Sequence, residues 1–186
     1  MPAEPFKTAR QKGRLSPLKL EHAVLRTTHV QPMVDWYLKV LEAEITFSSP
    51  TIAFLCYDEQ NHRIAFVNRP GTVPRTPNSA GLDHLAFTYA DLGELLATYE
   101  RLKSSGIAPN RATNHGSSTS LYYTDPDGNQ IELKVDNFDS VEKQHAWMRS
   151  EEFARNPGGT PIDPAEFVAR FRAGASAEEL TGMRSS

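Results

Sequence analysis

Cysteine is almost absent: Cys56 is the only one in 186 residues. A single thiol excludes an internal disulfide and a zinc knuckle built on cysteine. No apolar run approaches the roughly 18 residues of a membrane span, and no apolar segment follows the N-terminus as in a secretory leader. An excess of positive charge is also missing. The 20 Lys and Arg stand against 23 Asp and Glu, a formal net charge of -3, which excludes a strong field for nucleic acid. What is present is ordinary for a globular chain, 39% hydrophobic and 23% charged residues, values wrong for a disordered one. The expectation is a soluble, cytoplasmic protein of one domain or two small modules sharing a core, with neither membrane nor nucleic acid as partner.

Residues 1–17 read as a flexible arm, with Lys7, Arg10, Lys12 and Arg14 among Pro2, Pro5, Gly13 and Pro17 and no apolar periodicity. Two stretches then share one pattern. The first, 18–69, opens with an alternating strand-like run from Leu18 to Thr27. A helix follows from about Pro32, a residue suited to a first helical position, with Val34, Tyr37, Leu38 and Leu41 as its apolar stripe. Strands are expected around Ile45–Phe47, Ile52–Tyr57 and His62–Val67. After a linker at 70–80 (Gly71, Pro74 and Pro77), the second stretch, 81–137, repeats the order. Its strand Gly81–Thr88 precedes a helix with a capping box of Asp91 and Glu94, a stripe of Leu92, Leu95, Leu96, Tyr99 and Leu102, and Gly106 at its end. Strands near Ile107–Arg111, Ser118–Tyr123 and Gln130–Val135 complete it, the last two joined by the turn Asp125-Pro126-Asp127-Gly128-Asn129. The fold class is α+β: two tandem βαβββ modules, their strands curving as a mixed sheet around a cleft. A helical extension over 138–186 follows, with helices at Ser140–Arg155, from Asp163, and from Ser176. Phe167, Val168 and Phe171 need cover, which points to a structural or interfacial role and to a homo-oligomer.

Six histidines exist, and His22 and His84 hold matched places in the two opening strands, each after an acidic residue. Side chains alternate across a strand, so His22 shares a face with Leu20 and Val24, and His84 with Leu82 and Ala86. Glu132 interrupts the apolar neighbours Ile131 and Leu133 and so faces away from them. Taken singly, such residues are ordinary half-buried polar groups. Their recurrence at matched positions favours a ligand set instead, two imidazoles and one carboxylate, the facial triad that suits Fe(II) and leaves coordination positions open. His29 and His145 read as surface or packing residues, although His145 beside Trp147 could roof a pocket, and Cys56 reads as a small core residue.

The paired His22 and Gly81-Leu82-Asp83-His84 strands, together with Asp125-Pro126-Asp127-Gly128-Asn129-Gln130-Ile131-Glu132-Leu133, resemble the vicinal oxygen chelate (glyoxalase/bleomycin resistance/dioxygenase) superfamily. Asn114-His115-Gly116, followed by Ser118-Thr119-Ser120-Leu121-Tyr122, is similar to the type I extradiol ring-cleaving dioxygenases in a one-domain form. The resemblance covers roughly residues 18–136. It implies Fe(II), ahead of Mn(II), held by His22, His84 and Glu132, and a small aromatic diol and O2 as reactants. It also implies that His62 is the acid–base catalyst and that His115 and Tyr122 hydrogen-bond the substrate oxygens. Aligning the repeats sets Ala65 opposite Glu132, where similar four-ligand isomerases have a side-chain donor. A same-fold isomerase or epimerase using Zn, Ni, Co or Mn, and a metal-free drug-binding module, are the alternatives. Strict alternation through His62, Ile64 and Phe66 places His62 on the face opposite Ala65, unless a bulge or strand-end twist turns it.

Overall fold

A computed structural model describes residues 7–76 and 79–182. Pro2 and Pro5 of the expected arm, Pro77 of the linker and residues 183–186 of the extension lie outside them. Both βαβββ modules are present: β1 (Ala23–Arg26), α1 (Val30–Leu41), β2 (Glu44–Ser48), β3 (Ile52–Cys56) and β4 (Ile64–Val67), then β5 (His84–Thr88), α2 (Leu92–Ser104), β6 (Arg111–Asn114), β7 (Ser118–Thr124) and β8 (Gln130–Asp136). The extension contributes α3 (Val141–Met148), α4 (Glu151–Arg155), β9 (Thr160–Pro161), α5 (Pro164–Arg172) and α6 (Ala177–Thr181). The strands form two sheets with matching orders, β1-β4-β3-β2 and β5-β8-β7-β6-β9.

By contacts the described chain divides into two compact units. The first holds Pro17–Leu85 and Thr124–Gln130; the second holds Ala86–Tyr123, the chain from Ile131 onward, and the described residues before Pro17. The turn 124–130 belongs with the first unit because side chains of that unit hold it. The Tyr37 hydroxyl donates to Asp125 Oδ2 at 3.1 Å, Arg75 donates to Asn129 Oδ1 at 3.1 Å, and His29 lies 3.4 Å from Asp127. Asp125 is itself the hub of the turn: its Oδ1 accepts from the backbone N–H groups of Asp127 and Asn129, and its Oδ2 from Asn129 Nδ2. This short-range pattern is why an Asp opens such a turn. Burial raises the Asp125 carboxyl above the usual carboxylate range, while the bonds from Asn129 and Tyr37 pull it back down.

In the first unit α1 starts two residues earlier than the proline suggested. Pro32 is its third residue, still within the turn whose N–H groups lack helical partners. Val30, Met33, Val34, Tyr37 and Val40 form its buried stripe. The sheet registers Leu25 and Ala53 against Phe66, whose ring lies 5.1 Å from that of Tyr37, so this face packs on the helix. Val24 and Phe54 pair with Ala65, and Phe47 pairs with Phe54, so these side chains occupy the opposite face.

In the second unit Asp91 caps α2 by accepting from Glu94 N at 2.9 Å. Glu94 returns the bond to Ala90 N, one residue before the cap, so the expected box closes one residue early. The strand expected at Ile107–Arg111 forms later, over Arg111–Asn114, because Pro109 has no N–H to give a ladder. The expected helix Ser140–Arg155 is two helices, with the Ser150 hydroxyl capping the second on Phe153 N. β9 pairs with β6 through Thr113–Pro161 and Asn114–Thr160, adding the extension to the sheet. Phe167 and Val168 of α5 are buried, and the Phe171 ring closes on Gly93 of α2, where a Cβ would sit 3.3 Å from it.

Candidate active site

The second unit carries a polar face. Register sets Arg111 beside Tyr122 and Thr113 beside Ser120, so these four share one side of the sheet. The other side is the core, where Leu121, Tyr123, Ile131 and Leu133 are at most 1% exposed. Alternation in β8 turns Glu132 away from Ile131 and Leu133, as the sequence suggested, and the carboxylate is buried at 7% exposure. The Tyr122 hydroxyl donates to Glu132 Oε1 at 3.1 Å and lies 3.0 Å from His115 Nε2. With the phenol proton committed to the carboxylate, the phenol oxygen accepts from His115 Nε2–H. The result is a directed line, imidazole to phenol to carboxylate. The Arg111 guanidinium lies over the Tyr122 ring, 3.7 Å from its centroid. Burial first, then the charge and hydrogen bond of Glu132, push the Tyr122 phenol up to about 12, with Arg111 pulling the other way. Tyr122 is therefore a proton donor throughout the neutral range.

The first unit carries the other histidines. His22 lies just before β1, because the ladder starts at Ala23 rather than at Leu18. Its ring centroid is 4.4 Å from that of His62, which stacks on Phe54 at 4.8 Å and 19°. Phe54 is a cross-strand partner of Ala65, so His62 lies on the Ala65 face and not on the opposite one. Alternation misplaced it because β4 begins only at Ile64, and the residues before the strand do not keep its period. The departure at the strand end is the twist that the sequence reading required for His62 to share that face.

His84 opens β5, and its Nδ1 hydrogen-bonds Asp83 at 2.6 Å. With Nδ1–H committed to the carboxylate, the ring's lone pair lies on Nε2, the arrangement typical of a metal-ligating histidine held by an outer carboxylate. The matched acid of the first repeat behaves differently, since Glu21 pairs with Lys19 at 3.3 Å. Among the described residues no three His, Cys, Asp or Glu side chains gather into a metal cage. The ligands that the sequence singles out are His22, His84 and Glu132. Two imidazoles and one buried carboxylate are donor types that fit Fe(II).

Sequence reasoning did not assign roles to Asp83, Arg111 or Trp147. The acid-before-histidine repeat was a legible signal for Asp83. Arg111 and Trp147 reach the site only through strand pairing and the folding back of the extension, which leave no local pattern. Among the described residues no helix is long and apolar enough to cross a membrane.

Residues 19–133 match the Glyoxalase/Bleomycin resistance protein/Dioxygenase superfamily. The chain is 41% identical over 164 residues to biphenyl-2,3-diol 1,2-dioxygenase 2 of Rhodococcus globerulus, a match covering 88% of this chain and 86% of that one. It is 40% identical over 165 residues to biphenyl-2,3-diol 1,2-dioxygenase 3 of the same organism, covering 88% and 87%. Among solved structures, a glyoxylase/bleomycin resistance protein/dioxygenase domain from Frankia sp. EAN1pec superposes with a TM-score of 0.54 at 21% identity, covering 65% of this chain and 99% of that one, a likeness of fold alone. The duplicated βαβββ order, the polar face around Glu132 and these matches together establish that the chain belongs to the glyoxalase/bleomycin resistance protein/dioxygenase superfamily.

Proposed function

We propose that this protein is an Fe(II)-dependent extradiol dioxygenase that opens the ring of a catechol-type diol with O2. The observation that carries the reading is the line from His115 Nε2 through the Tyr122 hydroxyl to buried Glu132, in a chain about 40% identical to biphenyl-diol dioxygenases. His22, His84 and Glu132 are the proposed ligands, with the Asp83 carboxylate orienting His84. Bound there, iron supplies the Lewis-acid and redox chemistry that amino-acid side chains lack.

The remaining roles fall to the chain's own groups. Tyr122 keeps its proton on Glu132 beside the site, while His115 Nε2–H turns from the phenol oxygen to a substrate oxygen when the diol binds, so the pair orients the diol and stabilises its developing negative charge. His62, stacked on Phe54 and next to His22, is positioned to move a proton near that ligand, a role commonly worth about 10²–10⁴-fold in rate. Ala65 supports ring cleavage over isomerisation. The position that corresponds by repeat to Glu132 offers a buried methyl group, so three protein ligands leave room for a chelating diol.

Removing metal and restoring Fe(II) without oxygen, then adding O2 and a panel of catechols, tests the reading. Yellow ring-fission products that depend on both Fe(II) and O2 are expected. Isomerase activity with Ni or Zn in the absence of O2, and no ring-fission product, would refute it.

A further inference from the structure

We infer that Trp147, in the helical extension outside the duplicated modules, is the positioning residue for His115, an inference that rests on the proposed role of His115 at the diol. The indole sits directly on the turn that follows His115. Gly116 has φ +79°, and a Cβ there would lie 2.2 Å from Trp147 Cζ2 and 2.5 Å from Nε1, so only glycine admits the ring. Trp147 Nε1–H also donates to the His115 carbonyl at 3.3 Å.

The extension holds the same residue from a second side. Gly159, at φ +78°, lies so close to β6 that a Cβ would meet Asn114 O at 2.5 Å and His115 Cα at 2.9 Å. This contact leads into the β9–β6 pairing. Asn137 Nδ2 fixes the turn further by donating to the Gly116 carbonyl at 2.9 Å. Beside the turn lies a cavity of about 350 Å³, lined by His115, Gly116, Trp147 and Thr160 among others. Without the indole, the turn has space to shift into. The His115–Tyr122 hydrogen bond at 3.0 Å has little tolerance for such a shift, since these bonds weaken steeply with distance and angle. The extension thus does more than cover apolar surface: it sets where one donor of the site stands.

The test compares Trp147→Ala, Trp147→Phe and His115→Ala in the full-length protein. One readout is the imidazole ¹⁵N resonances of His115 in the metal-free chain. The other is kcat and KM for a catechol in the Fe(II)-loaded enzyme. Trp147→Ala is expected to move the His115 resonances toward a mixed-tautomer pattern and to lower kcat about 10- to 100-fold. KM should stay within about threefold, and Trp147→Phe should recover part of kcat.

Unchanged His115 resonances with only a lower Tm would overturn the inference, as would a raised KM with kcat intact. If Trp147→Ala does not fold, Gly159→Ala presses on His115 Cα from the other side. It must produce the same resonance shift, and its absence is refuting. Should His115→Ala turn over like the parent, the proposed role of His115 at the diol fails, while the resonances still decide whether Trp147 positions it.

Discussion

Replacing Tyr122 with Phe isolates one oxygen atom that serves two partners. The ring remains, so the Arg111 stack at 3.7 Å survives; both the 3.1 Å bond to Glu132 and the 3.0 Å bond from His115 disappear. Glu132 is 7% exposed, so the lost bond was made to a buried charged group and costs about 1.5–3 kcal/mol. For a chain of this length that lowers Tm by roughly 3–12 °C. Loss of the hydroxyl that holds Glu132 and the His115 donor in place adds a rate penalty of about 10²–10³-fold in kcat. The assays are single-turnover kinetics with a catechol, calorimetry, and iron content of the loaded variant. Iron should remain stoichiometric, because the hydroxyl is not a proposed ligand, so a rate loss cannot be blamed on an empty site. Parent-like turnover together with an unchanged Tm would refute the idea that the hydroxyl bridges imidazole and carboxylate.

Alanine at His22, His84 or Glu132 is expected to abolish stoichiometric iron, measured by metal analysis; full retention in any one removes it from the ligand set. His62→Phe should keep the stack on Phe54 and bind iron and catechol normally, yet slow turnover by about 10²-fold or more; normal turnover would reduce His62 to a strand-end residue. Tyr37→Phe removes a bond that lowers the Asp125 carboxyl. Because burial already holds that carboxyl above its unfolded value, its stabilising contribution is full in acid and is lost as pH rises through the folded pKa. The variant shifts that pKa further up, so its deficit in urea denaturation should reach about 1.5–3 kcal/mol near pH 7 and shrink below pH 4; an equal deficit at both would show that Asp125 charge is not involved.

Several features were legible because they depend on short-range chemistry. Asp125 opens a turn, and its own carboxylate bonds all lie within four residues apart from the one from Tyr37. The α2 stripe is buried as the helical period predicts, whereas of the expected α1 stripe only Val34 and Tyr37 are buried, with Val30, Met33 and Val40 in place of Leu38 and Leu41; Glu132 stands out against apolar neighbours on both sides. The duplication made His22 and His84 visible as a pair, since each recurs at the head of a module. Periodicity failed at the ends of elements: His22 and His62 sit outside the strands to which alternation assigned them.

The amino-acid order by itself determined the two βαβββ modules, the family resemblance and the residue types of the site, because each rests on local periodicity or on a motif read in line. Only the tertiary structure decided which atoms meet. It turned His62 onto Phe54 and the Ala65 face, gave the Tyr122 proton to Glu132, placed Arg111 over the phenol and brought Trp147 down on Gly116. Those contacts join residues from different strands or from the extension. They are set by register and close packing, which leave no periodic trace along the chain.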